Sequence, residues 1–205
     1  ITCSAQIADD GQPIEQGLIW RVYEDVAGKT ALVTTSRESS PSFRLKPGAY
    51  VVNVAFGRAN LTRKIVAKPG AAANEAFVLN AGGLKLEALI DKGQKPPPNT
   101  VAYDILTDER DQSGNRTRIM TGARPGLTVR LNAGIYHVVS VYGDANAAIE
   151  TDVTVEAGKL TLARVTHQAA RVTFKLVARA GGDALADTQW LLMTPQGEHV
   201  KESVG

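Results

Sequence analysis

The sequence predicts an all-β protein made of tandem small antiparallel β-sandwich modules. Three observations carry that expectation. Short runs alternate apolar and polar residues, the period of a half-buried strand, as in Thr2-Cys3-Ser4-Ala5-Gln6 and Leu84-Lys85-Leu86-Glu87-Ala88. Clusters of Gly, Pro, Asn and Asp punctuate the runs. A stretch from Leu45 to Gly57, Leu-Lys-Pro-Gly-Ala-Tyr-Val-Val-Asn-Val-Ala-Phe-Gly, returns from Leu131 to Gly143 at a constant offset of 86 residues. Each copy is a Gly-x-Tyr turn opening a strand that ends on a second glycine. Such self-similarity marks stacked copies of one supersecondary unit.

The first module, residues 1–83, opens with the alternation of Ile1, Cys3 and Ala5, then a loop at Asp9-Asp10-Gly11-Gln12-Pro13. Leu18 to Tyr23 and Ala31 to Thr35 read as the second and third strands, and Pro41 to Leu45 leads into the repeated motif. There Tyr50, Val52, Val54 and Phe56 share one face. Leu61 to Ala67 and Glu75 to Leu79 complete the module around a Pro69-Gly70 turn. Many short strands with turns between them are the pattern of a sandwich.

Gly82-Gly83 reads as a boundary, after which residues 84–171 run through the same order. Val101 to Leu106 aligns with the second strand and sets Tyr103 against Trp20; Arg116 to Met120, Leu127 to Leu131, Thr151 to Val155 and Leu160 to Val165 supply the other strands. A third copy starts at Val172, where Val172, Phe174 and Leu176 alternate and Trp190 takes the place of Trp20. The 205 residues contain no third Gly-x-Tyr, so residues 172–205 read as the incomplete start of a third module, and the natural protein is expected to continue. Two or three strands do not bury a sandwich core alone. Strand-mediated self-association through residues 172–205 is therefore expected. The linkers, around Ala81-Gly82-Gly83 and His167 to Ala170, are short, and no long helix is expected.

Composition excludes several function classes. Lys and Arg number 23 against 21 Asp and Glu, a formal net charge of +2, which is too weak a field to gather nucleic acid. No apolar run reaches the ~18 residues of a bilayer span, so no membrane span is expected within the chain. The lone Cys3 has no intrachain disulfide partner, and its inward position marks a buried thiol. Because the chain begins with Ile1, an upstream leader or anchor is compatible with it.

No residue pattern converges on chemistry. His137, His167 and His199 lack zinc spacing, with His137 expected to be exposed opposite Tyr136 and His167 at a boundary. There is no nucleophile elbow and no phosphate loop. Asp108 to Asn115 is a polar cluster whose oxygens fit a long hairpin loop better than a calcium site. Pro96-Pro97-Pro98 fits a stiffened loop better than a polyproline II ligand. No catalytic residue, metal or cofactor is expected. The residues singled out are structural: Gly48, Tyr50, Gly134 and Tyr136 of the repeated motif, and Trp20, Tyr103 and Trp190 of the second strands. A tyrosine just after a turn, facing inward, packs its ring and bonds its hydroxyl to backbone.

Leu45-Lys46-Pro47-Gly48-Ala49-Tyr50-Val51-Val52 and Leu131-Asn132-Ala133-Gly134-Ile135-Tyr136-His137-Val138 resemble the PEGA-like and carboxypeptidase-regulatory-like modules, within the transthyretin-like and Ig-like sandwiches of bacterial envelope proteins. The resemblance implies an Ig-like or prealbumin-like fold and an extracytoplasmic location in periplasm or cell envelope. Related pilin-type modules carry a Lys–Asn isopeptide bond, but Lys85 and Lys175 fall at outward positions here. The resulting expectation is a non-enzymatic structural or binding module with a protein or cell-wall polysaccharide partner. The alternatives are a carbohydrate-binding module, or accessory repeats of an enzyme whose catalytic domain lies outside this chain.

Overall fold

The computed structural model describes residues 1–9, 11–26, 29–144, 146–169 and 172–204. Asp10 of the first expected loop and Ala170 of the second expected linker lie outside the described residues. The only helical turn among the described residues is the three-residue 3-10 turn Asp91–Gly93.

The first repeat contributes β1 (Thr2–Gln6), β2 (Leu18–Val26), β3 (Lys29–Ser36), β4 (Gly48–Phe56), β5 (Ala59–Ala67) and β6 (Asn74–Val78). Strands β3-β2-β4-β5 form an antiparallel sheet, and β1-β6 pair in parallel on the other side of the core. Pro41 to Leu45, which leads into the repeated motif, touches β1 through an isolated bridge from Ser42 to Thr2. Alternation puts Cys3, Ala5, Trp20, Val22, Tyr50, Val52, Val54 and Phe77 into one sealed cluster.

The second repeat contributes β7 (Ala81–Ile90), β8 (Val101–Arg110), β9 (Arg116–Ala123), β10 (Thr128–Asn132), β11 (Gly134–Tyr142), β12 (Ala148–Val155) and β13 (Leu160–His167). Its sheets run β12-β11-β8-β9 and β10-β7-β13, with β7 and β13 parallel. Between them lies a second cluster, centred on Leu84, Leu86, Tyr103, Ile105, Leu131 and Val138. The fold is all-β, mainly antiparallel, with one parallel pair in each repeat. The tail adds a hairpin, β14 (Gln189–Met193) with β15 (His199–Val204).

One expectation is corrected. Ala81-Gly82-Gly83 is not a linker but the start of β7. A Cβ on Gly82 would lie 2.2 Å from the Glu156 carbonyl oxygen, so the glycine is there for close backbone approach rather than for a hinge. The turn between the repeats falls one residue earlier, at Asn80 with φ +48°.

Candidate functional site

The repeated motif builds the same corner twice. Gly48 and Gly134 open β4 and β11. Two residues on, the Tyr50 hydroxyl donates to the Lys46 carbonyl at 3.0 Å, and the Tyr136 hydroxyl donates to the Asn132 carbonyl at 2.9 Å. Trp20 is fully buried, donates from Nε1 to the Glu38 carbonyl at 3.0 Å, and meets Phe77 edge-on at 5.3 Å between centroids. Tyr103 fills the matching place in the second core, but its hydroxyl makes no hydrogen bond of good geometry. Burial pushes that phenol up to about 12, against the opposing effect of Ser140. Trp190 is only partly buried and stacks on Phe174 at 5.4 Å.

Near Tyr103 lies a buried polar pair that the sequence did not disclose. The Ser140 hydroxyl and His167 Nε2 are 2.7 Å apart, and both residues are sealed from solvent. His167 is thus the last, buried residue of β13 rather than a boundary side chain, because the parallel pairing carries it to Ile90 at the end of β7. Desolvation lowers its pKa from the ordinary 6.5, opposed by a backbone hydrogen bond to Ala147. A serine and a histidine at this distance suit nucleophile activation, but an enclosed pair meets no substrate.

This burial makes stability pH-dependent. Above 6.5 His167 is neutral in both states and its contribution is complete. Below 6.5 the unfolded chain binds a proton that the folded chain resists, so stability falls as pH drops through the depressed folded value. Urea titrations across this range are expected to show a steeper acid loss for the native chain than for His167→Gln. Parallel profiles would contradict the assignment.

The two repeats are joined through Asn132, which occupies the motif position held by Lys46 in the first copy. Its side-chain amide closes a backbone-like bridge across the joint. Oδ1 accepts from the Asn60 N–H at 3.1 Å, while Nδ2 donates to the Asn60 carbonyl at 3.1 Å and to the Leu79 carbonyl at 2.8 Å. Beside it the Arg58 N–H donates to the Arg130 carbonyl at 3.0 Å, and the Ala133 N–H to the Asn80 carbonyl at 2.6 Å. The Arg130 guanidinium covers the Phe56 ring at 4.4 Å. The only signal for this clasp in the sequence was the Lys-to-Asn difference between the copies.

The surface offers less. His137 is not freely exposed: its side chain is held between Asp152 at 2.7 Å and Glu150 at 3.2 Å, on the outer face of β11 and β12. In the Asp108–Asn115 loop the Asp111 carboxylate caps its own turn, accepting from the Ser113 and Asn115 N–H groups at 2.8 Å each. An open groove of about 440 Å³ runs past Pro96-Pro97-Pro98, with Lys85, Lys95 and Arg124 along it. Burial pushes the Cys3 thiol up to about 11, which keeps it an unreactive core group.

Residues 171–205 match the family model described as the Rhizobiales growth-associated tandem repeat domain. No curated protein matches the chain. Among solved structures, the chain is similar to GBS52, the minor pilin of Streptococcus agalactiae, at 13% identity, covering 87% of this chain and 99% of that one with a TM-score of 0.39. It is also similar to the Bacillus anthracis TIE protein, at 12% identity, covering 94% of this chain and 43% of that one with a TM-score of 0.30.

Proposed function

We propose that the chain is a non-enzymatic, stiffly jointed run of PEGA-like β-sandwich modules in an extracytoplasmic protein. The first two modules, which meet at Asn80, act as a spacer or presenting scaffold for a protein or cell-wall partner. Residues 172–205 begin a third module and carry self-association. The observation that supports this most is the Asn132 clasp, which continues backbone-type hydrogen bonding from one repeat into the next. A spacer depends on such a joint, because without a fixed interface successive domains move relative to one another. The enclosed Ser140–His167 pair and the buried rings of Trp20, Tyr50 and Tyr103 favour a scaffold over an enzyme or a sugar platform.

Residual dipolar couplings measured separately over each repeat test the reading. A single alignment tensor is expected for the native chain. Asn132→Ala removes three hydrogen bonds while keeping both cores, and is expected to split the tensor in two. Independent tumbling of the native repeats would refute the scaffold reading.

A further inference from the structure

The two complete repeats share a scaffold, so a feature found in one of them alone is not demanded by the fold. One such feature is the charge along the open groove of about 440 Å³ in the second repeat. Lys85, Glu87 and Leu89 of β7 line it, together with Lys95 to Asn99 and Arg124 to Gly126. Glu87 is already engaged, by Lys85 at 3.8 Å and by Arg164 Nε at 3.3 Å. Among the described residues neither Lys95 nor Arg124 has a carboxylate partner, and both are exposed. The first repeat has no counterpart. With Cys3 set against Leu86, Thr2 and Ser4 of β1 stand where Lys85 and Glu87 stand in β7. The loop from Asp9 to Pro13 has no Lys or Arg, and at the offset of 86 residues Glu38 takes the place of Arg124.

We propose that this groove binds an extended acidic segment of a partner polypeptide, with a large apolar side chain between its carboxylates. The carboxylates would meet Lys95 and Arg124, and the apolar group would cover Leu89 and Pro96-Pro97-Pro98. The site is preformed, which lowers the ordering cost of binding. The Thr100 N–H and hydroxyl both donate to the Pro97 carbonyl, at 3.4 and 2.7 Å, and the Gly126 N–H donates to the Leu86 carbonyl at 2.8 Å. Three successive prolines offer no N–H, so an incoming strand is not held there by a backbone ladder. Recognition has to come from side chains. A neutral sugar would find no aromatic ring among the lining residues on which to stack. A polyuronate would satisfy the cations but would set hydroxyls against Leu89 and the prolines, forfeiting the burial of apolar surface. The proposal rests on the scaffold reading for the partner's role, while the binding itself needs only the second repeat.

The probe is a library of random octapeptides panned on the full chain, with enriched sequences synthesised and titrated by fluorescence anisotropy. Enrichment of peptides carrying several Asp or Glu around a large apolar residue is expected. Their affinity should fall roughly tenfold or more for a chain carrying Lys95→Glu and Arg124→Glu. Arg37→Glu with Arg44→Glu makes the same change of charge at exposed residues outside the groove and should leave binding near the native level. High salt should weaken native binding, a readout that needs no variant. No enrichment, enrichment of neutral or basic peptides, or equal losses in the two double variants would overturn the proposal. So would sodium polygalacturonate binding that depends on Lys95 and Arg124 while no acidic peptide is enriched, since that outcome assigns the groove to a glycan. None of these results bears on the single-tensor measurement, so the scaffold reading fails or stands separately.

Discussion

Trp20→Ala is expected to cost the first repeat about 3–5 kcal/mol, the range for deleting a large buried aromatic. The indole is wholly enclosed between the two sheets, with Phe77, also fully buried, against its edge. Truncation leaves a cavity beside Phe77 in a cluster whose members are held in place by their strands, so collapse into the space is limited. It also strips the Glu38 carbonyl of its donor. Urea denaturation followed by tyrosine and far-ultraviolet signals should resolve an early transition for the first repeat while the second stays folded. The two cores are distinct clusters that share no buried residue. Trp190→Ala is the internal control. That ring touches Phe174 on an otherwise open face, so its loss should cost less than about 1 kcal/mol. Equal losses at the two positions would refute this account of the cores. A ring serving as a sugar platform would instead be removed with little effect on stability.

The contrast between Trp20 and Trp190 shows what period and repetition could disclose. Alternation alone placed Cys3, Ala5, Val52, Val54 and Leu86 inside, and all are sealed. It placed Phe174 inside by alignment, yet Phe174 is half exposed, because facing inward buries a side chain only when a second sheet lies opposite. Strand direction was not legible either. A parallel and an antiparallel partner impose the same alternation on β7, so the pairing of β13 that brings His167 under Ser140 left no mark on the pattern. The Asn132 clasp escaped for a related reason. An asparagine next to a turn signal in the sequence is ordinarily read as satisfied by its own backbone, whereas Asn132 ends β10 and only the three-dimensional approach of Asn60 and Leu79 gives its amide another task.

Gly82 separates a linker from a joint most sharply. In a flexible linker, Gly→Ala is expected to stabilise by about 0.4–1 kcal/mol, because it restricts the unfolded chain. Here Gly82→Ala is expected to destabilise by about 3 kcal/mol, since overpacking against backbone has no inexpensive relief. The added methyl would sit 2.2 Å from the Glu156 oxygen and 2.8 Å from Val155 Cγ1. Moving Glu156 aside strains its turn, whose Gly158 N–H donates to the Ala81 carbonyl at 2.8 Å and whose Lys159 carbonyl accepts from the Gly83 N–H at 2.8 Å. Ala81 in turn donates to the Ile7 carbonyl at 2.9 Å, so the disturbance reaches the first repeat. Gly83→Ala supplies the comparison. Its nearest obstacle is Leu160 Cδ1 at 2.9 Å, the far end of a side chain that is 61% exposed and free to swing away. Thermal denaturation should therefore rank Gly83→Ala near the native chain and Gly82→Ala well below it. If both variants were neutral or stabilised, the residues would be a hinge after all, and the stiff joint on which the scaffold reading depends would be lost.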